Sequence, residues 1–172
     1  MSTAIVTVMM TALLLAGVAV LAQGSFTALA QITDAWNEME DRTSTMARTR
    51  LEAVSTSYAT PTVDVTMLNS GEIALRDFAQ WDVVVQYYET NGTYHSAWLP
   101  YTTASPVSDN SWGVVGLYND AAATKPETHQ PNILDPGEHL VVRIVVDPAA
   151  DATANNRVLI GTPNAATLSS AF

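Results

Sequence analysis

The first thirty-three residues, Met1 to Thr33, carry no charged side chain, and the first basic residue is Arg42. No other feature limits the fold as much. A run this long and apolar is unfavourable in water, so its surface must be covered by lipid or by protein. The run is MSTAIVTVMMTALLLAGVAVLAQGSFTALAQI, rich in Ala, Leu and Met, and no Pro occurs before Pro61. Those are strong helix formers. A secretory signal opens with a positive segment ahead of its apolar core and closes at a small-residue cleavage site. Here the apolar run starts at Met1 and passes directly into a patterned polar segment. The expectation is a hydrophobic segment retained after a basic leader has been removed.

The pattern predicts one helix from Met1 to about Tyr58. At about 1.5 Å per residue it would be roughly 87 Å long, and its uncharged part roughly 48 Å. A bilayer core of about 30 Å needs less. Up to Ile32 the helix is apolar all round. We expect Ile5, Met9, Leu13, Leu14, Gly17, Val18, Leu21, Gly24 and Ala28 to pack against neighbouring helices. Small residues, among them Ala12, Ala16, Ala19 and Ala22, let helix backbones approach closely. Beyond Thr33 the pattern becomes one-sided. Ile32, Trp36, Met39, Thr43, Met46, Leu51, Val54 and Tyr58 recur at spacings of three and four with one slip near Arg50, an apolar stripe on a polar helix. Asp34, Glu38, Asp41, Arg48 and Glu52 lie largely opposite. The stripe Trp36, Met39, Met46, Leu51, Val54 and Tyr58 is expected to join the helix to a globular domain.

Pro61 stops the helix and pushes Thr60 towards extended geometry. From there the chain reads as β. Strands are predicted at Thr62–Leu68, Trp81–Tyr88, Tyr94–Tyr101, Ser111–Tyr118, Glu138–Asp147 and Arg157–Gly161, with one more within Ala165–Phe172. Asn91-Gly92 marks a hairpin. Val63, Val65 and Met67 share one face of their strand. Leu140, Val142, Ile144 and Val146 share one face of theirs. The fold class is α+β: a long N-terminal hydrophobic helix, residues 1–60, followed by an immunoglobulin-like antiparallel β-sandwich, residues 61–172.

Several function classes fall away. The net charge of −10 argues against nucleic acid or an anionic membrane surface as partner. With no cysteine there is no disulfide, thiolate nucleophile or cysteine-based zinc site. His95, His129 and His139 lack metal-ligand spacing, and no Gly-rich phosphate loop or serine nucleophile elbow occurs. An enzyme is not expected, and no catalytic, cofactor or metal residues are assigned. A calcium site built from Asp120, Glu127 or Asp135 ranks below an ordinary solvated loop. Trp98, Tyr101, Trp112 and Tyr118 suit a β-domain core better than an adhesive patch. Asp135-Pro136-Gly137-Glu138 reads as a tight turn. Asn91-Gly92-Thr93 is the one glycosylation sequon and makes Asn91 the candidate glycan site.

These parts together resemble the mature form of a type IV pilin-like subunit, and more closely archaellins, the flagellins of archaeal motility filaments. Two stretches carry the closer likeness: VDVTMLNSGEIALRDFAQWDVVVQYY, residues 63–88, and NILDPGEHLVVRIVV, residues 132–146. The resemblance implies a subunit processed by a leader peptidase and held by its helix in the cytoplasmic membrane. A membrane assembly platform then extracts it into a helical homopolymer. The helices bundle as the core, and the β-domains form the wall of an extracellular, cell-surface archaellum. Many type IV pilins carry Glu at the fifth mature position. Ile5 stands here, in keeping with archaellins. The competing expectations are an adhesion pilin and a membrane-anchored, stator-like accessory protein.

Overall fold

The computed structural model describes residues 2–172 and divides into two compact units, at Ser44/Thr45. The described residues of the first unit all belong to helix α1, Ser2–Arg48. Its 47 residues span about 70 Å. Hydroxyls within the apolar run turn back onto the backbone four residues earlier. Thr7, Thr11, Ser25, Thr27 and Thr33 donate to the carbonyls of Thr3, Thr7, Leu21, Gln23 and Leu29 at 2.8–3.0 Å. These five hydroxyls therefore enter an apolar medium with their donors satisfied.

The second unit is a sandwich of two four-stranded antiparallel sheets. Its strands are β1 Leu51–Ala59, β2 Thr62–Asn69, β3 Asp82–Tyr88, β4 Tyr94–Leu99, β5 Ser111–Tyr118, β6 His139–Val145, β7 Arg157–Gly161 and β8 Thr167–Ala171. One sheet has the order β1-β2-β6-β5, the other β4-β3-β7-β8. Alternation builds the core. Val63, Val65 and Met67 of β2 and Leu140, Val142 and Ile144 of β6 are fully buried, with Val83 and Val85 of β3 facing them from the other sheet. The β3–β4 hairpin turns at Asn91-Gly92, as the sequence predicts. The long connection before β6 closes at Asp135–Glu138, where Gly137 takes φ 88°. Only glycine adopts that angle at no steric cost.

The helix expected to reach Tyr58 ends at Arg48, ten residues early. Leu51–Ala59 is instead edge strand β1, paired with β2 from Leu51↔Asn69 to Ala59↔Thr62. Pro61 therefore shapes the β1–β2 turn rather than a helix end. A boundary at residue 60 would cut this hairpin. The physical cause is a bulge between Ala53 and Ser55, which puts Val54 out of register. The bulge breaks period-two alternation and leaves Leu51, Val54 and Tyr58 at spacings that imitate a helix.

Candidate functional site: the apolar helix and its joint with the β-domain

The nine residues expected to pack between helices all lie on α1. In a single copy the large ones face outward: Leu13, Leu14 and Leu21 are 72%, 70% and 73% exposed. Together with exposed Val8, Leu15 and Phe26 they leave no side of this stretch without a large apolar residue. A Cβ built at Gly17 or Gly24 meets nothing within 4 Å, so nothing in the chain itself requires glycine there.

The six stripe residues separate into two groups. Trp36, Met39 and Met46 lie on α1 and are exposed. Leu51, Val54 and Tyr58 belong to β1. Leu51 is buried in the sandwich core and Val54 projects outward beside the bulge. Tyr58 donates its hydroxyl to the Ala150 carbonyl at 2.8 Å and packs its ring 5.5 Å from that of Phe172.

A cluster missed by sequence reading sits where the helix ends. Its residues all belong to the second unit. Asn69, fully buried at the end of β2, directs its side-chain amide to the carbonyls of Ile73 and Leu134 at 2.8 and 3.0 Å. Its side-chain oxygen accepts from the Gly71 N–H at 3.1 Å. Its backbone bonds to the Glu138 carbonyl and the Gly137 N–H at 3.0 and 2.8 Å. The loop so held reaches the chain between helix and strand. Glu72 N–H donates to the Arg48 carbonyl at 2.8 Å, and Ser70 N–H to the Arg50 carbonyl at 3.1 Å. The first bond lands on the last residue of the helix and the second on the link into β1. Thr49, buried, adds a bond from its hydroxyl to the Thr45 carbonyl at 2.8 Å. The sequence signal was the Asn69-Ser70-Gly71 turn, which reads equally as an ordinary hairpin turn.

The polar residues elsewhere serve local structure. Asp120 accepts from the Thr124 and Lys125 N–H groups and the Thr124 hydroxyl. Those bonds, the hydroxyl first, hold its carboxyl below the usual range. Glu127 accepts from His129 N–H, Asn119 and Gln130 N–H, which lowers it to about 2. Burial pushes the nearby Glu138 carboxyl up. His95 stacks on Tyr87 with ring centroids 4.9 Å apart. Trp112 is fully buried, with the Tyr101 ring 5.0 Å from its own, whereas Trp98 is 59% exposed and donates to Asp82 at 2.9 Å. Asn91 lies exposed at its hairpin tip. Its amide donates to Glu89 and its oxygen accepts from the Thr93 N–H, both at 2.8 Å.

No family model matches the chain, and no curated protein matches it. Solved structures do. The chain is similar to the archaellum periplasmic stator protein complex FlaF and FlaG from Sulfolobus acidocaldarius. Identity is 21% and TM-score 0.50, over 72% of this chain and 88% of that one. It is similar to the stator protein FlaG from that organism at the same identity and TM-score, over 72% of this chain and 99% of that one. It is similar to the archaeal flagellum of Methanospirillum hungatei strain JF1 at 15% identity and TM-score 0.52, over 92% and 87% of the two chains. That share takes in most of the helix as well as the sandwich. The chain thus shares its fold with these archaellum components.

Proposed function

We propose that this protein is a structural subunit of an archaellum-type motility filament, joined to its neighbours through a bundle of N-terminal helices, with the β-domains outermost. One observation carries the reading: fourteen large apolar side chains between Ile5 and Ile32 stand exposed on every side of one helix. Full burial is worth about 1.5–3 kcal/mol per large apolar side chain, so covering all fourteen is worth roughly 20–40 kcal/mol. A membrane span supplies that cover before assembly, and a helix bundle supplies it afterwards. Transfer between two apolar surroundings costs little, and small residues such as Gly17 and Gly24 set how closely helices pack. The uncharged part of the helix is roughly 48 Å long where a span needs about 30 Å, an excess that suits a filament core. Trp36, Met39 and Met46 cover the neighbouring helices just beyond that core. The work is structural, without catalysis. A leader peptidase and a membrane platform complete the pathway, the finished filament lies outside the cell, and Asn91 is its glycan acceptor.

A membrane-anchored accessory subunit is the second reading. It is favoured by the two stator likenesses, whose identity exceeds that to the filament and which take in nearly all of the stator chains. Electron microscopy of filaments sheared from native cells, with peptide mass spectrometry of the same material, decides between them. Filaments with this chain as major component establish the subunit. A chain that stays with the membrane fraction, absent from every filament, establishes the accessory protein.

A further inference from the structure

The geometry points to a lock at the junction of helix and sandwich, in which Asn69 and Gly71 are positioning residues that hold the last helical turn to the two central strands of one sheet. The covalent path from α1 leads into β1, an edge strand with a bulge near its start. An edge strand has one hydrogen-bonded neighbour, so a pull or twist arriving through it alone would peel it away. The loop after β2 supplies a second path. Asn69 ends β2, and Gly137 and Glu138, both bonded to its backbone, lead into β6. From that base Ser70 and Glu72 donate to the carbonyls of Arg50 and Arg48. The two stretches that carry the archaellin resemblance thus meet here, at the end of the helix.

Residue 71 must be glycine for the lock to close. A Cβ there would stand 2.5 Å from the Arg48 carbonyl oxygen and 2.6 Å from the Arg50 nitrogen, both backbone atoms that cannot swing aside. A methyl group there strains both bonds, and a larger side chain forces the loop off the helix end and breaks them. Asn69 is fully buried and uses its N–H, its carbonyl and both ends of its side-chain amide in the joint, so no apolar residue replaces it.

The test is amide hydrogen exchange on the full chain in detergent micelles, wild type against Gly71→Ala and Gly71→Val. In the wild type, the Ser70 and Glu72 amides should be protected within about tenfold of Val65 and Val142 in the core. In Gly71→Val those two amides should exchange at least 100-fold faster while Val142 is unchanged, with Gly71→Ala between. Wild-type Ser70 and Glu72 amides that exchange as freely as an open loop overturn the lock without any variant, so a Gly71→Val chain that fails to fold leaves the proposal testable. Protection that survives Gly71→Val overturns it too. The second readout, filament yield in cells, rests on the filament reading above: Gly71→Val should lower it at least tenfold. Normal yield with lost protection overturns the positioning role. Absence of filaments from the wild type tells against the filament reading alone, and exchange still decides the lock.

Discussion

The helix and the sandwich use the same apolar residue types in opposite ways. In the sandwich, alternation sends Val63, Val65 and Met67 inward until each is fully buried. Along the helix, Leu13, Leu14 and Val18 remain at least 63% exposed in one copy. A sandwich supplies its own second layer, so one chain completes it. A helix that is apolar on every side has no polar face to offer water, and completing it takes other molecules. Stability of the first kind is a property of the chain. Stability of the second kind depends on concentration and surroundings.

A buried charge gives the sharpest contrast. Val142 lies at the centre of β6 between Val65 and Val114, with no exposure. Val142→Asp should cost about 5 kcal/mol or more and abolish cooperative unfolding of residues 45–172, read by circular dichroism in urea. Leu14→Asp should do the reverse. Filament yield should fall to background by electron microscopy, while the urea midpoint of the β-domain moves by less than about 0.5 kcal/mol equivalent. Normal filaments from Leu14→Asp would erase the distinction between the two regions. The boundary can be tested as well. Residues 62–172 lack β1, and with it Leu51 and Tyr58. That fragment should be less stable than residues 45–172 by about 2–5 kcal/mol in matched urea titrations. Equal stability would return β1 to the helix side.

The smallest expected effect is on pH dependence. Glu127 is held at about 2 against an ordinary 4.5. A carboxylate lowered on folding contributes stability that is present above its unfolded value and lost as pH falls through the folded one. Its share should therefore disappear between pH 4.5 and about 2, along with those of Asp120 and Asp151, also lowered. Glu138, raised by burial, acts in the opposite sense. Glu127→Gln should flatten the acid limb of β-domain stability measured by urea midpoints from pH 5 to pH 2. An unchanged limb would show that these loop bonds contribute nothing. No such change is expected in the uncharged part of the helix.

Legibility followed the same division. The alternation in VDVTM and LVVRIVV identified β2 and β6, because a buried face forces period two on a strand. Asn91-Gly92 identified the β3–β4 hairpin, because its turn demands those residues. Strand β1 was missed. Only Leu51 of it is buried, it pairs with one strand, and it bulges at Val54, so little of its pattern survives. The joint was missed for another reason. Asn69 and Gly71 owe their identity to contacts with Arg48 and Arg50, some twenty residues away, and with residues 134–138, some sixty-five away. No local pattern encodes such pairings. The helix residues were legible as apolar, but in a single copy they stand exposed, so the chain's own contacts do not record what packs against them.

The strand order also sets a timetable. Hairpins β1–β2, β3–β4 and β7–β8 form from neighbouring residues. The first sheet is joined only when β6 reaches β2, where Val65 meets Val142, 77 positions later (142 − 65). Long-range pairings of this kind are slow, since the intervening chain must be gathered before any contact rewards it. As the chain emerges, the helix precedes β2, and β6, the partner of β2, follows about seventy residues after it. Until then the β1–β2 hairpin presents an unpaired β2 edge beside its neighbours, the form in which strands aggregate. An early tether for the helix would keep such half-made domains apart.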